Sequence, residues 1–304
     1  MAQSVARTQI PSALGQWYSR PKGSFLHYIG RAARAKPLGA IGLTVILGTI
    51  LLAVFAEQIA PYGPDVTHRG QVLQPPSMRF LMGTDHLGRD VLSRVIFGAR
   101  ISLLVGISSV IIGVVVGSIV GLVSAYCGDW IDLAIQRVMD AIMAIPAIVL
   151  ALTILAIAGP GLGNVIIAIA VPQIPRVNRV VRGSVLVERE LLYVDAARVI
   201  GCSSLRIMLW HLLPNVLAPI MVIATLNMST AIIQEASLSF LGVGTPSNIP
   251  SWGQMLSSEA RKFMLVQPWL AVWPGLAITI SVLAWNFLGD ALRDLWDPRL
   301  RREG

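Results

Sequence analysis

Residues Tyr193 to Pro214 read YVDAARVIGCSSLRIMLWHLLP. Asp195 to Ile200 is a helix-forming run, with Arg189 and Arg198 on its polar side. Gly201 can end that helix in a left-handed conformation, which only Gly adopts at little cost. Ser203 or Ser204 can then cap a second helix. Leu205, Ile207, Met208, Leu209 and Leu212 make that helix apolar, and Pro214 marks the next boundary. The stretch lies between long apolar runs, so a helix, a break and a second helix occupy a loop between membrane spans. An ordered loop of this kind is either a docking element for a partner or an amphipathic helix on the membrane surface.

The surrounding composition fixes the class. Of 304 residues, 55% are hydrophobic and 13% charged, against about 25% charged in a soluble domain. The mean hydropathy is +0.69. The chain therefore reads as an all-α polytopic membrane protein. Its net charge of +8 does not imply nucleic acid, because basic residues flanking spans are what membrane orientation requires. Cys127 and Cys202 fall near cytoplasmic span ends, where no disulfide is expected. No Cys/His spacing suggests a metal site, and His27, His68, His86 and His211 are scattered as loop or interface residues are.

Five long charge-free runs, 37–56, 101–128, 141–175, 207–234 and 263–289, carry the spans. A span needs about 20 apolar residues. The third run is long enough for a hairpin, punctuated by Gly159-Pro160-Gly161-Leu162-Gly163. Six spans are predicted, at 38–58, 101–126, 133–158, 164–186, 214–236 and 269–290. Before them, residues 1–36 form a basic tail, whose stretch from Trp17 to Lys36 has the composition of a surface-lying segment or a disordered one. This leader is too long for a cleaved signal peptide. Residues 236–258 are charge-free but do not span, because Gly242, Gly244, Pro246, Asn248 and Pro250 break any helix there and lipid does not tolerate unpaired backbone. With the N-terminus inside, 17 of the 24 Lys and Arg lie on the inner side and 7 on the outer side. The positive-inside rule places both termini in the cytoplasm.

Charged residues near the spans are candidates for function, because charges in lipid are costly. Asp140 lies one turn into the third span, with Arg137 three residues before it as a natural partner. Glu235 sits near the outer end of the fifth, able to meet a substrate amine or to fix the following loop. Arg176, Arg179 and Arg182 form a stripe of snorkelling anchors beyond Pro172 and Pro175. Gly88 to Ala99 reads as an interfacial helix leading into the second span, with Arg89, Arg94 and Arg100 among headgroups at its edges. Asp290, Arg293, Asp294 and Asp297 read as an ion-pair cluster at the inner face.

Several stretches resemble one family. Asp195-Ala196-Ala197, three residues, Gly201, nine residues, His211, one residue and Leu213-Pro214 reproduce the spacing of the EAA loop of ABC-importer permeases, with Asp195 for Glu and His211 for an apolar residue. Gly83-Thr84-Asp85-His86-Leu87-Gly88-Arg89-Asp90 is similar to the signature before the second span in the DppC/OppC subunits of the oligopeptide/dipeptide/nickel group. Glu235-Ala236-Ser237-Leu238-Ser239-Phe240-Leu241-Gly242, Ser251-Trp252-Gly253 and Gly289-Asp290-Ala291-Leu292-Arg293-Asp294 resemble its later blocks. The resemblance covers nearly all of residues 35–300.

It implies a type I ABC importer permease of six transmembrane helices in the bacterial inner membrane. Its parts would be a cytoplasmic tail at 1–36, a first span and outer loop at 37–100, a core at 101–290 with its cytoplasmic coupling loop at 188–214, and a tail at 291–304. It further implies a homologous second permease, two ATPase subunits that bind ATP and Mg²⁺, and an external solute-binding protein. The implied cargo is a dipeptide or oligopeptide, with nickel, glutathione or an opine-like conjugate as alternatives. Tyr193, Asp195, Ala196, Ala197, Gly201, His211 and Pro214 would couple to the ATPase. No Gly-x-x-x-x-Gly-Lys-Ser/Thr occurs, since Lys22, Lys36 and Lys262 are the only lysines and none follows Gly. An intramembrane aspartyl protease would need paired aspartates within spans, where only Asp140 lies. A serine enzyme of rhomboid type would need a histidine at a span centre, and none is there. A scaffold or channel would account for the spans but not for the loop. Reporter fusions after Pro61 and after Gly242 are expected to read outside and one after Cys202 inside; the reverse pattern would overturn the orientation.

Overall fold

A computed structural model describes residues 36–246, 249–257 and 262–296 of the chain. The chain divides into two units, Met1–Pro37 and Leu38–Gly304, and the fold described here is that of the second. The basic tail before Lys36, the residues from Asp297 onward and thus the end of the C-terminal charge series lie outside the described residues.

Helices dominate, and the described residues contain only two isolated β-bridges, Thr67 with Arg89 and Thr84 with Asp90. Helix α1 is Pro37–Val54, followed by the short α2, Ala56–Ile59. A loop then leads to α3, Val91–Cys127. Next come α4, Asp129–Met143, α5, Ala147–Ala158, and α6, Leu162–Ala170. A 3₁₀ turn, Val171–Gln173, joins α6 to α7, Ile174–Glu188. Helix α8 is Leu192–Val199 and α9 is Ser204–Arg206. A π-helical turn, Ile207–Leu212, runs into α10, Leu213–Asn215. The last three are α11, Leu217–Phe240, α12, Trp252–Met255, and α13, Trp269–Trp296.

Four of these helices, α1, α3, α11 and α13, are long and apolar enough to cross a membrane, and the bent pair α4 and α5 would make five. The expected third span, 133–158, is therefore not one rod. It turns by 89° between α4 and α5, where Pro146 has no N–H to give and its ring pushes Ile145 out of the helical region. The expected fourth span, 164–186, falls on α6, the 3₁₀ turn and α7 in succession, none of which is among the helices long and apolar enough to cross a membrane, so the expected count of six is not reached among the described residues. Pro172 and Pro175 each fall at the start of a piece, where a missing N–H costs least.

The proposed interfacial helix at 88–99 is no separate element. It is the first part of α3, a single helix of 37 residues, about 55 Å long at 1.5 Å per residue. A hydrocarbon core is about 30 Å thick, so α3 extends well past it. Asp90 caps this helix, accepting from the Ser93 backbone N–H at 2.8 Å and its hydroxyl at 2.6 Å. The three arginines expected among headgroups instead bind groups of the protein. Arg94 is buried and donates to the Pro64 carbonyl at 3.1 Å and to Gln254 Oε1 at 3.2 Å. Arg89 pairs with Asp85 at 2.7 Å. Arg100 donates to the Ala53 and Val54 carbonyls at 3.0 and 3.2 Å, filling acceptors left free where α1 ends.

The centre of the bundle is the packing of α3 on α7. Gly113, Gly117 and Gly121 recur every four residues and so share one face of α3. A β-carbon at Gly117 would lie 2.7 Å from Val177 Cβ and 2.9 Å from the Ile174 carbonyl, and one at Gly121 would lie 2.8 Å from the Asn178 carbonyl. Between apolar helices in lipid, attraction comes from close contact rather than from the expulsion of water, so small residues at the seam allow the approach. Gly117→Leu is expected to force the helices apart at a cost of about 1–3 kcal/mol or more and to lower the yield of folded protein extracted from membranes. Gly48→Leu, where a β-carbon meets nothing within 4 Å, is the control. Equal yields for the two variants would show that this seam is not limiting.

Candidate docking site

Helix α8 lies at the end of the bundle where α3 terminates and α7 gives way to α11. Its two sides differ. Val194 and Ala197 are buried in a cluster with Val181, Val185, Ile207, Leu212 and Val216. On the other side Leu192 is 85% exposed, Val199 86% and Ile200 78%, with Asp195 and Ala196 exposed between them. This exposed face carries three large apolar side chains at helical spacing. The adjoining Asp195–Ala196–Ala197 triplet is therefore split: Ala197 faces its own core and only Asp195 and Ala196 face outward. Successive residues of a helix turn about 100°, which sets Ala197 on the core side and Ala196 outward.

The helix ends on Gly201, at φ +81°. Cys202 N–H donates to the Ala197 carbonyl and Gly201 N–H to the Arg198 carbonyl, both at 3.0 Å. That pair of bonds is the Schellman arrangement. Nothing lies within 4 Å of where a Gly201 β-carbon would be, so this position needs glycine for its backbone angle and not for space. Of the two candidate caps, Ser203 is the one that acts, accepting from Arg206 N–H at 3.4 Å. Asp195 pairs with Arg198 at 2.9 Å within the helix, an exposed bond of small net worth.

Tyr193 joins three elements. Its hydroxyl donates to Glu188 Oε2 at the end of α7 at 2.8 Å, and it accepts from Asn215 Nδ2 at the root of α11 at 3.1 Å. Burial, and then the neighbouring Glu188 carboxylate, push this phenol up from its ordinary value, so it stays a donor at neutral pH. His211 and Pro214 lie beside this node: Asn215 Nδ2 also donates to the His211 carbonyl at 2.7 Å, and Pro214 is the second residue of α10. Ser203, Leu205, Arg206, Leu209, Trp210 and His211 line an open hollow of about 690 Å³ next to α8.

The two candidate acids lie away from this loop. Asp140 is half-exposed and pairs with Arg179 at 2.7 Å, across α4 and α7, not with Arg137. Arg182, also expected to snorkel, binds Asp132 through Nε at 2.7 Å, with Ser124 hydrogen-bonded to the same carboxylate. Gln136 extends this network, donating to Ser124 Oγ at 2.8 Å and Asn178 Oδ1 at 3.2 Å. Glu235 lies at the opposite end of the bundle and is wholly buried. It accepts from the hydroxyls of Ser251 at 2.8 Å, Ser239 at 2.9 Å and Ser102 at 3.2 Å. Ser251 in turn caps α12, accepting from Gln254 N–H at 3.1 Å. Glu235 thus fixes the segment that returns into the bundle after α11. The Tyr193 node was missed in the sequence because its members lie 5 and 22 residues apart and only the fold brings them together.

The described residues thus form a bundle of apolar helices with an ordered, outward-facing helix at the turn between two of them. Residues 113–302 match the family described as "Binding-protein-dependent transport system inner membrane component", and residues 24–76 match the N-terminal transmembrane domain of oligopeptide transport permease C. The chain belongs to that inner membrane component family. It is 47% identical over 264 residues to a putative peptide transport system permease protein of Brucella abortus, covering 87% of this chain and 88% of the relative. It is 45% identical to the di/tripeptide transport permease DppC of Pseudomonas aeruginosa, covering 86% and 89%. It is 41% identical to the glutathione transport permease GsiD of Escherichia coli, covering 90% and 91%. Among solved structures, an inward-facing MetNI methionine ABC transporter chain aligns with a TM-score of 0.55 at 20% identity, covering 66% of this chain and 96% of that one, a likeness of fold.

The Gly201 geometry gives a stability test. Gly201→Ala is expected to cost about 1–2 kcal/mol, and Gly201→Asn less, because Asn enters the left-handed region more readily. Thermal unfolding of the purified protein reads the order; an alanine variant as stable as wild type would contradict the cap.

Proposed function

We propose that this chain is one of two homologous permease subunits of an ATP-driven importer of short peptides, and that α8 docks on the ATPase. The observation that carries the reading is the exposed face of Leu192, Asp195, Ala196, Val199 and Ile200, on a helix whose other side is held in the core by Val194 and Ala197. An apolar face of this kind at an inter-helix turn is suited to a partner's groove. Two ATPase subunits outside this chain bind ATP and Mg²⁺, and a solute-binding protein delivers cargo from the other side.

The 17 to 7 division of Lys and Arg puts the docking loop and both termini in the cytoplasm of a bacterial cell. Counting α6, the 3₁₀ turn and α7 as one span and α4 with α5 as another gives six. Short peptides are the cargo class shared by the names of the relatives, since glutathione is itself a tripeptide. Affinity for cargo then resides mainly in the binding protein, and the permease pair passes cargo along.

The test uses the assembled complex in vesicles. Ile200→Asp places a charge at the C-terminal edge of the proposed contact, and is expected to lower co-purification of the ATPase about tenfold or more, as loss of a buried apolar anchor does. Uptake of a labelled dipeptide should fall with it. Wild-type co-purification and uptake in Ile200→Asp and in Asp195→Lys would refute α8 as the docking element.

A further inference from the structure

The root of α11 is an irregular helix. Pro214 has no N–H, so the Trp210 carbonyl has no α-helical donor four residues on. The ladder before it is π-helical through Ile207–Leu212, with Leu213 N–H bonding back to the Met208 carbonyl. Such widened turns free backbone groups that other partners can take up. Here the His211 carbonyl accepts the Asn215 side-chain amide at 2.7 Å, and the Tyr193 hydroxyl lies 3.5 Å from the same carbonyl.

The hydrogens of this cluster balance. Asn215 Nδ2 has two: one goes to the His211 carbonyl and one to the Tyr193 oxygen. The single hydrogen of the Tyr193 hydroxyl goes to Glu188 Oε2. Glu188 is the last residue of α7, Tyr193 is on α8, and Asn215 closes α10 just before α11. Two directional bonds thus connect α8 to the segments on both sides of it, and the third, from Asn215 to the His211 carbonyl, holds Asn215 in place. Two further attachments are less directional: Val194 and Ala197 pack in the core, where apolar contacts hold a helix close without fixing its direction, and the Arg198 guanidinium lies 5.9 Å from the Tyr126 ring centre of α3.

We propose that Tyr193, Glu188 and Asn215 form a joint that transmits displacement of α8 to α7 and α11, making them positioning residues for transport. This rests on the proposed docking of α8 on the ATPase. The joint sits where the helix is already broken by Pro214 and the π turn, so α11 can change direction there without losing a regular ladder. With the joint cut, α8 stays docked through its exposed face and stays buried through Val194, but its movement no longer sets the direction of the two helices.

The experiment measures ATPase co-purification, basal ATP hydrolysis and the ratio of dipeptide uptake to ATP hydrolysed, in vesicles holding the full complex with its binding protein. Tyr193→Phe removes one oxygen, and Asn215→Ala removes the donor. Each is expected to keep co-purification and basal hydrolysis near wild type while lowering the uptake-to-hydrolysis ratio about fivefold or more. The double variant should be no worse than either single one, because both cut the same joint. Glu188→Gln keeps an acceptor and should retain the ratio that Glu188→Leu loses. A wild-type ratio in Tyr193→Phe, or additive losses in the double variant, would overturn the joint. So would loss of assembly in both single variants, which would make the cluster a structural tie only. Ile200→Asp separates the two readings: if it leaves assembly and uptake intact, docking by α8 is what fails, whereas lost assembly there with a wild-type ratio in Tyr193→Phe removes the joint alone.

Discussion

The close approach of α3 to α7 is the contact on which the other features depend. In water two apolar helices are driven together by burial. In lipid that drive is absent, and association rests on contact distance and on hydrogen bonds between helices. Gly117 and Gly121 let the α7 backbone come near enough for both, and Gly113 does the same for the 3₁₀ turn before it. The carbonyls of Ile174 and Asn178 lie against the positions where side chains would otherwise be. The same approach brings Asn178 of α7 within reach of Gln136, and Arg182 within reach of Asp132, so the ionic network at that end is set by the glycines at the centre. It also places the end of α7, and with it Glu188, where Tyr193 can bond to it. Arg189 donates to the Ala125 carbonyl at 2.6 Å, adding a positive charge at the C-terminal end of α3, where the helix dipole favours one.

Polar groups at the opposite end follow the rule that a buried polar atom must be partnered. The segment after α11 returns into the bundle as α12, a single short turn whose Trp252, Gly253, Gln254 and Met255 are all buried. Its backbone could not lie there unpaired. The serine hydroxyls around Glu235 meet that need: Ser251 caps the turn, and Ser102 of α3 accepts from the Trp252 N–H at 3.2 Å. Gly253 permits the segment to lie against α11, since a β-carbon there would come 2.5 Å from Ala236 Cα. Glu235 is thereby central to a structural knot, which accounts for a carboxylate deep within the bundle.

The α8 end is where the chain is ordered and exposed together. A helix of eight residues is too short to be stable alone. Its order comes from Val194 and Ala197 below, the Gly201 cap at one end and the Tyr193 bonds at the other. What remains outward is an apolar face with one ion pair, a surface made rigid by the rest of the protein and left open for a partner. A rigid, exposed face loses little conformational entropy when it is covered.

The all-α membrane class, the position of the helix–break–helix loop, its break at Gly201 and the failure of residues 236–258 to span were all legible in the sequence, because each follows from local chemistry: apolar run length, a left-handed turn, clustered helix breakers. The glycine spacing on α3 was also present in the sequence, at every fourth residue, but its meaning depends on which helix meets it. Partner choice was not legible. Asp140 has Arg137 three residues away and yet pairs with Arg179, because the 89° bend after α4 and the packing of α7 set distances that sequence separation does not. For the same reason Arg94, read as a headgroup anchor from its place on a helix edge, is buried beneath a loop 30 residues earlier in the chain. What the sequence determined by itself is the set of elements and where each must end, since those depend on neighbours within a few residues. Which charges pair, which of Ala196 and Ala197 faces outward, and how Tyr193 bonds to helices on both sides were decided only by the tertiary structure, because each depends on the relative placement of segments that the glycine seam brings together.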